Sequence, residues 1–395
     1  VTARSAVTEG VRLDEAAAYG AALAGLPGMT PARLRRVLDG FQPVVAWRAL
    51  AAGAHPADRI RRFEGGARST DIGAVAEAYG RAGISVLLRD RPGYPARLVG
   101  DRGQPAVLFA AGDPLGADAR PSAAIVGTRS ATHYGRSVAA ELGGALAEAG
   151  VVVVSGLASG IDGAAHAGVL RRSAGTGVPI AVVGTGLDVV YPPAHASLWR
   201  DVAACGAVLS EAPLGTPPRP RVFPARNRII AALADVVVVV ECHHRGGALY
   251  TAEAAARRGI PVGAVPGSVR SPASVGCNAL LADGCVPIRD ADDVLTAIGL
   301  ARAEPSGARL PTGGPERGGT ARSGGRAPRT LTSSSGPHLA DDERRQVYEA
   351  VDGHPTGLES IVLRTGLPFA TIAVACDALV EEGSLAAGPG WWSRR

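Results

Sequence analysis

Lysine is absent from this chain: all 41 of its basic residues are arginine. That excludes a Walker-type phosphate loop, whose lysine reaches the terminal phosphates, and any route through a lysine Schiff base. Aromatic residues make up only 4%, so strong sequence preference through base stacking is not expected. Cysteines are few, and no Cys-x-x-Cys occurs. The five present (Cys205, Cys242, Cys277, Cys285 and Cys376) are scattered and odd in number. This pattern argues against a zinc site, even beside Cys242-His243-His244, and suits a reducing cytosol. Long apolar runs are missing too; Val236–Val240 is far too short to span a membrane. Nor does the N-terminus show a basic-then-apolar signal. A soluble cytoplasmic protein is expected.

What is there is length, small apolar residues and unevenly placed charge. The 395 residues are 46% hydrophobic and rich in Ala, Val and Gly, enough for two or three domains with large cores. The net charge of +5 divides as +3 over residues 1–83, +2 over 84–300, +4 over 301–337 and −4 over 338–395. The acidic tail argues against phosphate binding there and leaves the basic remainder as the polyanion candidate.

Residues 1–83 read as a helical domain, with Leu26-Pro27-Gly28-Met29-Thr30 joining two helices. Across 84–300, short apolar strands alternate with Ala-rich helices. Strands are expected at Ala124–Val126, Val151–Val154, Ile180–Val183, Val208–Leu209, Val236–Val240 and Val262–Val265. That pattern predicts an α/β core with a mostly parallel sheet covered on both faces. Residues 301–337 form a Gly/Pro/Ser/Arg-rich flexible linker. In 338–395, helices at Asp341–Val351, Leu358–Thr365 and Phe369–Glu382 precede a hairpin ending at Trp391-Trp392. Such an order describes a winged helix.

Several clusters follow strands and would converge on one sheet edge, where such folds bind ligands. They are Gly127-Thr128-Arg129, Ser155-Gly156 through Gly160 and Asp162, Gly184 through Asp188, and the stretch containing Gly246-Gly247. The first reads as a strand–glycine–helix junction, a natural seat for phosphate. Another piece, Phe223-Pro224-Ala225-Arg226-Asn227-Arg228, puts two arginines at a helix start, and no acid lies between Glu211 and Asp235. Asp162 and His166 could form an acid–base pair, but a capping Asp and a core His are the commoner outcome. A dinucleotide cofactor would need Gly-x-Gly-x-x-Gly and a ribose-binding acid after the second strand, and both are missing. No cofactor or metal is therefore expected. Fixed guanidinium forks and backbone nests without a nucleophile suit a polymeric phosphate backbone, namely single-stranded nucleic acid.

In this order the clusters closely resemble the DNA-processing protein A family, also called DprA or Smf. The resemblance runs from about Val86 to Val294. It is most specific at Val126-Gly-Thr-Arg129, Val154 to Asp162 with His166, Gly186 to Pro192, Phe223 to Ala231 and Ala264-Val-Pro-Gly267. It implies an extended Rossmann-like core that binds single-stranded DNA, dimerises and helps load RecA recombinase in natural transformation. A sterile-alpha-motif-like N-terminal domain and a C-terminal winged helix are also implied. Carried over by position, the DNA-binding set is Gly127, Thr128, Arg129, Ser155, Gly156, Gly160, Arg226, Asn227, Arg228, Gly246 and Gly247. Three positions depart from the family pattern: Val178 stands where many members have a basic residue, Gly246 where serine is usual, and Thr128 where serine is frequent. The first removes a phosphate contact, which Arg171, Arg172 or Arg219 could replace.

A rival from another class is a nucleotide N-glycosidase of the LOG type, marked by Pro-Gly-Gly-x-Gly-Thr-x-x-Glu. Arg245-Gly246-Gly247 to Glu253 keeps the glycines and the glutamate in step but lacks the Gly-Thr pair, which speaks against hydrolysis.

Overall fold

The computed structural model describes residues 13–302, apart from 119, 173–176 and 221. It also describes residues 341–394, apart from 352–355, 358–360, 362–363, 368 and 389–390. These stretches belong to two compact units. The expected linker and most of the Leu358–Thr365 helix lie outside the described residues.

In the first unit five short helices lead: α1 (Glu15–Gly25), α2 (Pro31–Val37), α3 (Pro43–Ala51), α4 (Glu64–Ser69) and α5 (Ile72–Arg81). Their starts follow side-chain chemistry. Asp14, Thr30 and Asp71 cap α1, α2 and α5 by accepting backbone N–H groups, and Pro31 and Pro43 open α2 and α3.

A nine-stranded sheet follows. Its strands are β1 (Ser85–Leu88), β2 (Val107–Gly112), β3 (Ser122–Val126), β4 (Val152–Ser155), β5 (Pro179–Val183), β6 (Ala207–Ser210), β7 (Val236–Val239), β8 (Val262–Ala264) and β9 (Val286–Pro287). They are ordered β1-β2-β6-β5-β4-β3-β7-β8-β9. β1 and β2 pair antiparallel, as do β2 and β6; every other pairing is parallel. The central strands read as valine runs because both faces are covered. Ala123 and Ile125 of β3 pack against α6 (His133–Glu148), α7 (Ile161–Arg172) and α12 (Ala291–Arg302). Ala124 and Val126 face α9 (Val222–Ala232) and α10 (Ala248–Ala256).

The helical segment is not a separate body. Leu23, Leu50 and Tyr79 share one apolar cluster with Phe109 of β2 and with Trp199 of α8 (Ala196–Cys205), and Tyr79 stacks on Phe109 at 5.2 Å. Burial of that seam joins residues 13–83 to the sheet. α11 (Val275–Ala282) completes the unit on the α10 side.

The second unit contains α13 (Asp341–Ala350), α14 (Phe369–Glu381) and an antiparallel sheet of β10 (Thr356–Gly357), β12 (Trp391–Arg394) and β11 (Leu385–Gly388), in that order. Val347, Ile361, Ile372 and Leu379 form its core.

Candidate nucleic-acid interface

Strand order reverses at β3: β4 lies on one side and β7 on the other. Loops leaving β3 and β7 at their carboxyl ends therefore part around a crevice, the usual ligand seat of an open α/β sheet. A cleft of about 700 Å³ opens there, lined among others by Thr128, Arg129, Arg219, Phe223, Asn227 and Gly247.

The β3 loop is held from both sides. Thr128 N donates to Glu241 O at 2.7 Å, and Ile161 N donates to Thr128 O at 3.3 Å. A Cβ on Gly127 would lie 2.4 Å from Ile161 and 2.9 Å from Glu241 O, so only glycine fits. Arg129 itself is exposed. Its guanidinium lies over the Phe223 ring at 4.3 Å, and the Tyr191 ring packs tilted against Phe223 at 5.6 Å. A cation over an aromatic face gains about 0.5–2 kcal/mol while leaving its edge donors free for phosphate.

The seat at the start of α6 differs from the expectation. Thr132 caps that helix, and the buried Glu241 side chain fills the position beside it. Glu241 accepts from Thr132 N at 2.9 Å and Thr132 Oγ1 at 2.5 Å, and lies against Gly135. A protein carboxylate thus already answers the positive helix end. Asp162, in the first turn of α7, places a second carboxyl at a helix start and accepts from the loop N–H groups of Ala158 and Gly127. The N-terminus of α10 carries no carboxylate: Gly247 sits at its cap, no acid occupies the first turn, and the neutral Cys242 thiol lies against the N–H groups of Gly246, Ala248 and Leu249. It opens into the cleft through Gly246 and Gly247.

Of the Arg226-Asn227-Arg228 run, each residue does different work. Arg226 is 7% exposed; Nη1 donates to Gly156 O at 2.9 Å and to Val182 O, and Nε donates to Asn227 Oδ1. Burial lowers its pKa to about 10, partly offset by the nearby Asp162 charge. Burial likewise raises the Asp162 pKa, against the pull of Arg226 and Arg129. Arg226 is the floor of the cleft and ties β4 to β5. Asn227 Nδ2 donates to Gly247 O at 3.2 Å, joining α9 to the α10 loop. Arg228 does not line the cleft; it donates to both Glu211 oxygens at 2.6 and 2.8 Å.

Ser155 corrects in the same way: it is fully buried and spends its hydroxyl on Ile125 O at 2.6 Å. Gly156 lines a small side pocket with Tyr191, Gly184 and Phe223. Gly160, at φ +82°, lets the α7 loop pass within contact of the Thr128 and Arg129 carbonyls. Val178 precedes β5 at its amino end, opposite the cleft, and packs half-buried in the core. Arg171 and Arg172 close α7, and Arg172 pairs with Glu148. Arg219 alone of the three substitutes lines the cleft. His166 is buried and also outside it. Arg129's pairing with Phe223, distant in the chain, has no single-residue signal; the proline after Phe223, opening toward the arginines, is the nearest hint. Glu253 is exposed and paired with Arg257, so it presents no carboxylate to the cleft.

Among the described residues, no group of three His, Cys, Asp or Glu could hold a metal, and no helix is long and apolar enough to cross a membrane. The fold and the cleft define a Rossmann-like protein whose site presents guanidinium groups and backbone N–H groups rather than a dinucleotide grip. The chain belongs to the family described as DNA recombination-mediator protein A, whose model matches residues 85–299. Protein Smf of Synechocystis is 31% identical over 94% of this chain and 97% of that protein. The DNA processing protein DprA of Bacillus subtilis is 38% identical over 57% of this chain and 74% of its own length. The X-ray structure of DNA processing protein A from Streptococcus pneumoniae superposes with a TM-score of 0.61 at 32% identity, covering 72% of this chain and 98% of that one.

Proposed function

We propose that the cleft binds single-stranded DNA, and that the protein is a cytoplasmic recombination mediator. In this reading it protects incoming DNA and helps load RecA during natural transformation, acting as a homodimer and without covalent chemistry. The observation that carries the reading is Arg129, exposed and stacked on Phe223 at the mouth of an open cleft. Its donor fork suits a phosphate oxygen, and the Phe223–Tyr191 pair offers apolar faces to an unstacked base. Arg219 and the acid-free α10 start extend the same chemistry along the crevice. A nested cleft admits one backbone, so duplex binds less well than single strand.

The C-terminal unit, read as a winged helix, carries a net charge of −4 over residues 338–395. That charge suits a protein partner better than a DNA groove.

Arg129→Ala tests the site. Single-strand affinity should fall, and the slope of log K against log salt should drop by about one counterion, near 0.7. An unchanged slope in a fluorescence titration would remove Arg129 from the contact. RecA assembly on single strands, followed with and without the protein, tests the mediator role separately; no acceleration would strike out that part alone.

A further inference from the structure

A second basic surface lies outside the cleft, on the helical segment. A hollow of about 410 Å³ is lined by Arg33 and Arg36 of α2 and by Arg59, Ile60 and Arg62 of the loop before α4. Arg36, Arg59 and Arg62 are exposed and form no ion pair among the described residues, and Ile60 is 74% exposed. Asp58 and Glu64 are already engaged, and the exposed Asp39, three residues after Arg36, does not line the hollow. The Asp58 carboxylate is buried and accepts from Arg62 N at 3.0 Å and Phe63 N at 2.9 Å, and Glu64 is held by Arg61 and Arg68.

The loop is built to hold these arginines outward. His55 Nε2 lies 3.0 Å from Val37 O, and Nδ1 accepts from Ala57 N at 3.1 Å, pinning the loop to the end of α2. Phe63 anchors its far end in the core, and Arg61 sits in the left-handed region at φ +51°. A non-glycine residue there costs on the order of 1 kcal/mol and persists only where the surroundings fix it. α2 is itself docked on the core: Arg35 Nη1 reaches Gly103 O at 3.4 Å, beside the Arg228 side chain of α9.

We propose that this hollow is a second DNA-binding site, one that grips the sugar–phosphate backbone alone. Free guanidinium groups of one sign with no open acid between them suit a polyanion. No aromatic ring is exposed in the hollow, since Phe63 is 4% exposed, so unstacked bases find no platform. The site therefore takes duplex and single strand alike, unlike the cleft. It stands apart from the cleft reading, because its arginines and those of the cleft can be removed independently.

The test uses the full chain with Arg36, Arg59 and Arg62 all changed to Gln, in wild-type and Arg129→Ala backgrounds. A control removes equal charge elsewhere (Arg81→Gln, Arg200→Gln and Arg257→Gln). Duplex and single-strand affinities are titrated against salt. The triple variant should lose about tenfold in duplex affinity, with the salt slope falling by about three. It should lose further single-strand affinity even where Arg129 is already alanine, while the control changes little. Wild-type duplex affinity and slope in the triple variant would overturn the site. An equal loss in the control would reduce the effect to net charge and overturn it as well. Failure of Arg129→Ala alone would instead fall on the cleft.

Discussion

His166 is fully buried on α7, and neither ring nitrogen has a hydrogen-bond partner among the described residues. Burial, with the Arg226 charge and the His195 ring nearby, pushes its pKa down to about 3 from an ordinary 6.5. Between those values the unfolded chain binds the proton and the folded one does not. Stability from this residue is therefore complete above about pH 6.5 and drains away as pH falls, by about 1.4 kcal/mol per unit. His166→Leu should flatten that part of the acid limb, measured as the difference between wild-type and variant denaturant midpoints at pH 7 and pH 5. Parallel pH profiles would show that His166 is not the titrating group. The three arginines Arg129, Arg226 and Arg228 teach the same lesson about environment. Residue type marked all three as phosphate ligands, but only exposure separates the free fork of Arg129 from the buried fork of Arg226 and the paired fork of Arg228. Burial depends on contacts between distant segments, such as Glu211 meeting Arg228, which no local pattern reveals.

Elements fix where those side chains meet, and Gly160 shows how tightly. It precedes α7 at φ +82°, and a Cβ there would lie 2.3 Å from Thr128 O and 2.7 Å from Arg129 O. Gly160→Ala combines left-handed strain of about 1 kcal/mol with a backbone clash, so a loss of about 2 kcal/mol or more is expected. Because the clash pushes on the Arg129 loop, single-strand affinity should fall with the melting temperature. Wild-type melting together with wild-type affinity would mean that the loop can shift freely. At this scale the central strands were legible because burial on both faces writes them as valine runs, as in Val151–Val154 and Val236–Val240. β1, β2 and β9 were not expected. β1 is four residues with alternating burial, and β9 is an exposed Val-Pro pair, so neither leaves a long apolar run. The occupied start of α6 was hidden for another reason: Glu241 reaches it from the loop after β7, across the switch point.

Over the whole molecule, charge is divided between two units that fold around separate cores. Residues 338–395 contribute −4 to a total of +5. Within that unit Arg344 is drawn to Glu382 and Arg345 to Glu349, which leaves few cations for phosphate. A polyanion approaching the cleft meets the field of the entire chain, and an acidic unit in the same chain opposes it at long range. Removing residues 338–395 should therefore raise single-strand affinity at low ionic strength. The gain should fade as salt shortens the screening length to about 10 Å near 0.1 M. A direct DNA contact by the C-terminal unit predicts the opposite sign, weaker binding on removal, with a shallower salt slope. Titrating full-length and shortened chains at two salt concentrations separates the two. Tighter binding that vanishes with salt identifies the acidic unit as an electrostatic brake on the cleft, whereas a loss at both salts makes it a third DNA contact.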